Sequence, residues 1–205
     1  MYLTRAKSSK RMPIARKGTK YIARAINNSR QGIPVVIAIR DMLNLARTAK
    51  EVNLMVKQGL LKINGRLVRD LKEGISLFNV IEADKKYKLT ILKTGKFNFE
   101  ETKDDFKNCK VIGKKILKGR KTQINLHDGT NFLTNDKIRV GDSVHVGFDG
   151  KVKKIIPLEK SKEVFIISGR SVGNNGKIKE VSGKMVEVQM EDRVVVLNQS
   201  HLIAI

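Results

Sequence analysis

Positive charge is distributed unevenly along this 205-residue chain, and this unevenness limits what the chain can fold into. The first 40 residues hold ten lysines and arginines and no acidic residue, and residues 85–160 hold nineteen basic and nine acidic residues. Residues 41–84 and 161–205 are nearly neutral. A chain of this length suits one large domain or two to three small ones. The alternation of basic and neutral stretches favours several small domains.

The net charge of +22 calls for a polyanionic partner. Nucleic acid is favoured over an acidic membrane surface, because neither basic stretch places lysines on one helix face and bulky apolar residues on the other. The longest apolar run, Ile33–Ile39, is too short to span a membrane, and the N-terminus lacks the apolar segment of a signal peptide. Cys109 is the only cysteine, which excludes an internal disulfide and indicates a reducing compartment, most simply the cytoplasm.

Residues 1–32 are predicted to form an extended basic arm with little apolar periodicity. Such an arm cannot bury enough apolar area in water to offset a chain entropy of about 1–2 kcal/mol per residue. A solvated tail or a targeting segment is the alternative, but the lack of acidic residues favours an arm that orders against phosphates. Its candidate phosphate contacts are Arg5, Lys10, Arg11, Arg16 and Lys17.

Residues 33–84 carry definite local signals for two short helices. Pro34 suits the first turn of a helix that runs to about residue 45. Thr48 and Glu51 form a capping box, in which the side chain of each residue serves a backbone N–H of the other. The second helix, opened by this box, is predicted to end at Gly59.

A β-hairpin is predicted after the second helix, because Asn64-Gly65 is the strongest two-residue hairpin signal. The helix–helix–hairpin unit carries candidate RNA contacts at Arg47, Lys50, Lys57, Lys62 and Arg66. Arg47 and Lys50 lie where the N–H groups and the positive dipole end of the second helix favour a phosphate. The alternative is a set of ordinary solvated charges, and charge alone leaves the two interpretations even.

Residues 85–160 are predicted to form a small β-barrel or sandwich, because short alternating segments are separated by turn residues every eight to twelve positions. Thirteen basic and four acidic residues fall between Lys85 and Lys121. The candidates for a loop laid on phosphates are Lys114, Lys115, Lys118, Arg120 and Lys121. A solvated charged face is the alternative. Residues 157–162 are predicted to form a linker.

Residues 161–205 are predicted to form a second, smaller barrel. Gly169, Gly173 and Gly176 permit positive φ and a close approach of the backbone to a partner, and Arg170 and Lys177 flank them as candidate RNA contacts. A nucleotide cradle is disfavoured, because the loop leads into strands and lacks the terminal Gly-Lys-Ser/Thr. Tight turns in a small barrel are the structural alternative.

No residues suggest catalysis, a metal or a cofactor. The three histidines lack metal-ligand spacing, and Cys109 has no nearby base. The acidic pairs Glu100-Glu101 and Asp104-Asp105 lie in a charged loop, where adjacent carboxylates rarely form an acid–base dyad. We therefore expect no enzyme activity.

Two family resemblances narrow this interpretation. The stretch IRDMLNLARTAKEVNLMVKQGLLKINGRLVRD resembles the alpha-L RNA-binding domain of bacterial small-subunit ribosomal protein four and of pseudouridine synthases. Nearly the whole chain is similar to small-subunit ribosomal protein four of the archaeal and eukaryotic "e" family, through QINLHDGTN, IRVGDSVHV and SGRSVGNNGKIKEV. The NLHDG segment and the absence of a long tail after the last stretch resemble the archaeal branch.

The resemblance implies an α+β multi-domain fold: an extended basic arm (1–32), an alpha-L RNA-binding domain (33–84), a central β domain (85–160) and a KOW- or SH3-like small barrel (161–205). It implies a structural constituent of the small ribosomal subunit in the cytoplasm. Its partners would be small-subunit ribosomal RNA and neighbouring ribosomal proteins, with no membrane and no small-molecule substrate. An RNA-modifying enzyme and a free KOW-bearing translation or transcription factor are the alternatives.

Overall fold

The computed structural model describes residues 3–27, 32–117, 122–191 and 193–205. Their regular secondary structure consists mostly of β-strands, with few helical turns. The chain divides into two compact units: residues up to Ile91 together with Gly95–Lys107, and Leu92–Thr94 together with Asn108–Ile205. No helix in these described ranges is long and apolar enough to cross a membrane.

The N-terminal residues of the first unit form a closed loop. Strand β1 (Leu3–Thr4) pairs antiparallel with β2 (Tyr21–Ile22), and Met12 and Ala25 are buried. The backbone N–H of Phe97 donates to the carbonyl oxygen of Arg11 at 2.8 Å, which attaches this loop to the body of the unit. The predicted extended arm is therefore not confirmed in the described part of residues 1–32.

The helices follow the predicted order. Strand β3 (Ile33–Pro34) leads into α1 (Val35–Ile37), which continues as a π-helical turn over Ala38–Met42. The residues from Val35 to Ile39 are all apolar and buried. Helix α2 (Ala49–Lys57) begins after Thr48 and stops before Gly59, whose φ of 71° is the left-handed conformation that ends helices.

The predicted hairpin is present and belongs to a five-stranded antiparallel sheet. Asn64 and Gly65 both have positive φ, at 49° and 77°, so they form a type I′ turn. Five strands form this sheet, in the order β5-β4-β7-β8-β9: β4 (Lys62–Ile63), β5 (Arg66–Leu67), β7 (Val80–Glu82), β8 (Lys86–Ile91) and β9 (Phe97–Glu101). Strand β6 (Gly74–Ile75) lies between β5 and β7 in the chain and pairs separately with β3.

This sheet bears on the predicted boundary between residues 84 and 85. Strands β7 and β8 lie on opposite sides of that boundary, yet they are hydrogen-bonded neighbours, with Ile81 opposite Tyr87. Strands β8 and β9 therefore extend the sheet of the helix–helix–hairpin unit instead of beginning a new one. The division into four domains otherwise stays a prediction.

The second unit holds two further five-stranded sheets. The first is formed by β10 (Phe106–Ile116), β11 (Thr122–Leu126), β12 (Asn131–Thr134), β13 (Ser143–Gly147) and β14 (Val152–Ile156), in the order β12-β11-β10-β13-β14. Its core contains Cys109, Val111, Ile124, Leu126, Ile138, Val144 and Val146. Cys109 is thus a buried free thiol of this core, and its Sγ donates to the Asp128 carboxylate at 3.8 Å.

The last sheet is formed by β15 (Glu163–Ile166), β16 (Asn175–Ser182), β17 (Met185–Gln189), β18 (Val194–Asn198) and β19 (Leu202–Ala204). Its order is β18-β17-β16-β15-β19, so the C-terminal strand returns to pair with β15. Ile156 and Leu158 join the core of this sheet, which makes the predicted linker partly a packing segment. The barrel-like form of the two sheets stays a prediction.

Candidate nucleic-acid interface

Fourteen of the seventeen predicted contact residues lie in the described ranges, and most of them are on the surface. Arg5 and Arg11 are half-buried. The exposed ones are Lys10, Arg16, Lys17, Arg47, Lys50, Lys57, Lys62, Arg66, Lys114, Lys115, Arg170 and Lys177. Lys118, Arg120 and Lys121 lie outside the described residues. Whether these side chains contact RNA stays a prediction.

Arg5 has an internal role. Its guanidinium donates to the carbonyl oxygens of Ala15 and Thr19 at 2.6 and 2.8 Å, and to the Thr19 hydroxyl at 2.9 Å. A planar guanidinium with five N–H donors suits this bridging of a loop. Arg5 thus closes the N-terminal loop, because its guanidinium is held against the Ala15 and Thr19 oxygens.

A cleft of about 690 Å³ lies in the first unit, and its lining mixes basic and apolar side chains. Arg5, Lys17, Arg40 and Lys72 contribute positive charge, and Ile14, Val36, Ile37 and Leu71 contribute an apolar surface. Tyr21 lines the same cleft, is 51% exposed, and has the Lys20 ammonium 5.5 Å from its ring centre. An exposed aromatic ring beside cations suits the stacking of an unpaired base.

Arg40 and Asp41 add a fixed ion pair to the cleft. The guanidinium of Arg40 donates to both carboxylate oxygens of Asp41, at 2.9 and 2.8 Å. The hydrogen bond to Asp41 raises the pKa of Arg40. Arg40, Lys72 and Tyr21 were not among the predicted contacts; the Lys20-Tyr21 pairing of a cation with an aromatic residue was the sequence signal available for Tyr21.

The start of α2 is occupied by the chain's own carboxylate. The Glu51 carboxylate accepts the Arg47 N–H at 2.8 Å and the Thr48 hydroxyl at 3.0 Å, and the Thr48 hydroxyl oxygen accepts the Glu51 N–H at 3.3 Å. These bonds, led by the Arg47 N–H, lower the pKa of Glu51. A phosphate here would depend on the side chains of Arg47 and Lys50, since the helix start already has an anion.

The hairpin cation Arg66 is also paired. Its guanidinium lies 2.5 Å from the Glu73 carboxylate, which also accepts the Arg69 N–H at 2.7 Å. The Arg66 side chain remains 58% exposed, whereas that of Glu73 is 13% exposed. Glu73 therefore holds Arg66 in place while leaving much of its guanidinium accessible to solvent.

Lys114 and Lys115 lie on strand β10, and not in the predicted phosphate-binding loop. They are opposite Ile124 and Gln123 in the β10–β11 ladder, and consecutive strand residues point to opposite faces of a sheet. The Lys114 ammonium donates to the carbonyl oxygen of Ile138 at 3.1 Å. Because they face opposite ways, these two lysines cannot serve one row of phosphates together.

The glycine-rich loop of the last sheet packs on its own chain. Gly173 has a φ of 79°, and a side chain there would collide with the backbone of Leu92 and Lys93. The close approach predicted for Gly173 is therefore internal, as the tight-turn alternative requires. Arg170 is exposed on this loop, and Lys177 is exposed on β16, opposite Glu163.

Lys110 is a buried cation and was not among the predicted contacts. It is only 5% exposed, and its ammonium donates to the carbonyl oxygens of Gln199 and of Leu202, the latter at 2.7 Å. Burial lowers the pKa of Lys110 to about 8. Beside it, Asn108 donates to the carbonyl oxygen of Ala204 at 3.0 Å. Both side chains fasten the C-terminal segment to β10.

Exposed cations on several separate sheets are typical of proteins that bind a polyanion through more than one surface. Within the described ranges, no group of three or more His, Cys, Asp and Glu side chains is placed to hold a metal ion.

Residues 83–152 match the model of ribosomal family S4e.

Archaeal relatives match over most of the chain. The small ribosomal subunit protein eS4 of Methanothermobacter thermautotrophicus is 31% identical over 194 residues, which cover 88% of this chain and 79% of the relative. The eS4 protein of Desulfurococcus amylolyticus is 33% identical, with 81% and 73% covered. The crystal structure of the 30S ribosomal protein S4e from Thermoplasma acidophilum matches with a TM-score of 0.74 and 28% identity, covering 85% of this chain and 95% of that one.

The chain belongs to the small ribosomal subunit protein eS4 family. The predicted resemblance to the archaeal branch of the "e" family is confirmed. Of the predicted α+β multi-domain fold, the mostly β character is confirmed, with few helices, and the domain arrangement stays a prediction.

Proposed function

We propose that this chain binds small-subunit ribosomal RNA through several separate basic surfaces, by phosphate neutralisation and shape recognition. As a member of the eS4 family, it is a structural constituent of the small ribosomal subunit and is part of the cytoplasmic ribosome. Its partners as such a constituent are the subunit's RNA and proteins. The observation that carries the proposal is the exposure of twelve predicted lysines and arginines, distributed over both units.

We assign the contacts by surface. In the first unit, Arg16, Lys17, Arg47, Lys50 and Lys57 would meet phosphates, and the cleft beside Tyr21 would take an unpaired nucleotide. In the second unit, Lys114, Lys115, Arg170 and Lys177 would add contacts. Each such contact is weak alone, but contacts on one chain raise one another's effective concentration. The alpha-L identity of residues 33–84 and the KOW identity of residues 161–205 belong to this proposal.

Co-sedimentation tests the subunit role. Small subunits should carry the chain in equal stoichiometry at low salt and lose it only at high salt, since phosphate contacts weaken as counterions accumulate. A free KOW-bearing factor would instead remain in the supernatant. An RNA-modifying enzyme would isomerise uridine in a ribosomal RNA substrate, whereas a structural constituent would not.

A further inference from the structure

Strand β18 forms one edge of the last sheet, where β17 is its hydrogen-bonded neighbour. Its sequence, VVVLN, has strong β propensity and contains neither lysine nor proline, the residues that usually protect such an edge from pairing with another strand. An edge of this kind is a template for an added strand.

Two hydrogen bonds fix which backbone groups of β18 point outward. The Met190 N–H donates to the Arg193 carbonyl oxygen at 2.9 Å, and the Gln199 N–H donates to the Lys184 carbonyl oxygen at 2.8 Å. Along an antiparallel strand, residues whose backbone N–H and C=O groups point to one neighbouring strand alternate with residues whose groups point the other way. Because Arg193 and Gln199 both bond to the β17 side, the backbone groups of residues 195 and 197 also face β17. Those of residues 194, 196 and 198 face away from the sheet.

The side chains along the middle of this edge are apolar and acidic, whereas the exposed Arg193 lies at its start. Val194 and Val196 are 46% and 52% exposed, and Met185 on β17 is 45% exposed. Glu187 lies directly opposite Val196 on one side and Glu180 on the other. Two like charges directly opposite each other destabilise a sheet, and a cation placed near them would relieve that cost.

These features select a protein strand and disfavour the other occupants. Ribosomal RNA is disfavoured beside Glu187, whose carboxylate lies opposite Glu180, and the valines offer it no donors. The proposed RNA contact Lys177 lies two strands away from β18, on β16. A second copy of this chain would bring a further charge of +22 against the first. An extended segment with alternating basic residues has the right chemistry, because its lysines or arginines could lie along Val196 and reach Glu187.

We propose that the β-edge surface, formed by the outward backbone groups of residues 194, 196 and 198 with Val194, Val196, Met185 and Glu187, takes up a lysine- or arginine-bearing extended segment of a neighbouring protein as a sixth strand. The added strand's backbone supplies affinity through hydrogen bonds, and its basic side chains supply selectivity through Glu187 and Glu180.

Amide hydrogen exchange on the intact chain tests this surface. The probe is a synthetic peptide of alternating valine and lysine, and the control is a peptide of alternating valine and glutamate. We expect the basic peptide to slow exchange of the Val194 and Val196 amides by about tenfold or more, as a new hydrogen bond requires. The Val195 amide, already paired to β17, should not change. The acidic peptide should leave all three unchanged.

Two variants separate this surface from the rest of the chain. Val196→Lys should abolish the protection, and Glu187→Gln should weaken peptide binding roughly twofold to fivefold, the range of an exposed ion pair. Leu133→Lys, at the exposed edge strand β12 of the other sheet, is the matched control and should bind the peptide normally. Protection of the Val195 amide reports whether β18 remains folded in each variant.

The proposal is overturned if the acidic peptide protects the same amides, if ribosomal RNA alone protects them, or if concentration-dependent dimerisation does so. Affinity for ribosomal RNA, measured in parallel, distinguishes this proposal from the preceding one, since Val196→Lys should leave RNA binding intact. Failure of the unmodified chain to bind RNA would contradict the rRNA proposal alone.

Discussion

The Arg5 guanidinium donates to the Ala15 carbonyl oxygen across 2.6 Å, so the N-terminal loop is closed by one of the residues expected to contact RNA. This hydrogen bond, with the two to Thr19, compensates for the small apolar core of the loop. The N-terminal segment therefore presents its exposed cations, such as Arg16 and Lys17, from an organised backbone.

We expect Arg5→Ala to open this loop. Hydrogen bonds to a charged group contribute about 1.5–3 kcal/mol, so exchange of the residue-5 amide, which donates to the Lys20 carbonyl oxygen across the loop, should accelerate roughly tenfold or more. Arg5→Lys should also accelerate exchange, because lysine keeps the charge but lacks the planar fork. Lys10→Ala, an exposed neighbour, is the control and should leave exchange unchanged. If Arg5→Lys behaves as the unmodified chain does, Arg5 acts only as a charge.

Lys110 should make the stability of the second unit depend on pH. Its pKa is about 8 in the folded chain, against an ordinary value of 10.5. Between these values the unfolded chain holds the proton more tightly, so this lysine makes stability rise with pH across that window. At about 1.4 kcal/mol per pH unit, the gain relative to Lys110→Met is at most about 3 kcal/mol.

Denaturant unfolding at pH 7.5 and pH 10 checks this dependence. The difference in free energy of unfolding between the unmodified chain and Lys110→Met should change between the two pH values. The same difference for the exposed Lys115→Met should not change. NMR titration of the Lys110 side chain measures the same pKa directly. A midpoint at the ordinary lysine value would show that the two carbonyl oxygens fully compensate for burial.

Gly173 and Gly183 allow the destabilisation caused by an added side chain to be compared at two positions. Both have positive φ, at 79° and 60°, but a side chain at Gly173 meets the Leu92 backbone and one at Gly183 meets nothing within 4 Å. Gly183→Ala should destabilise the chain by about 1 kcal/mol, the ordinary cost of the left-handed conformation. Gly173→Ala should cost more than this, because the collision adds to it. Equal costs in thermal unfolding would contradict the close packing.

Local signals were the most predictable part of the fold. The capping box at Thr48, the helix stop at Gly59 and the type I′ turn at Asn64-Gly65 each depend on neighbours within four residues, and each is present. Pairing between distant segments left weaker signals. The boundary at residue 84 was placed by a change in charge and pattern, but β7 and β8 pair across it.

In the candidate site too, local properties were predictable and distant contacts were not. The exposure of most predicted cations follows from their charge, since ionised side chains are seldom buried without partners. The roles of Arg5 and Lys110 depend on carbonyl oxygens 10 and 92 residues away, which composition cannot indicate. The strand position of Lys114 and Lys115 was obscured by a lysine-rich sequence that resembles a loop.

The salt dependence of binding to small-subunit ribosomal RNA tests the central claim most directly. For each phosphate neutralised, the slope of log K against log salt steepens by about 0.7 to 0.9. Since several surfaces would bind phosphates, the intact chain should give a slope of about −4 or steeper. The double variant Lys50→Gln with Lys57→Gln should make the slope shallower by about 0.7 to 0.9 for each phosphate that it no longer neutralises. A slope near zero in the intact chain would contradict the account.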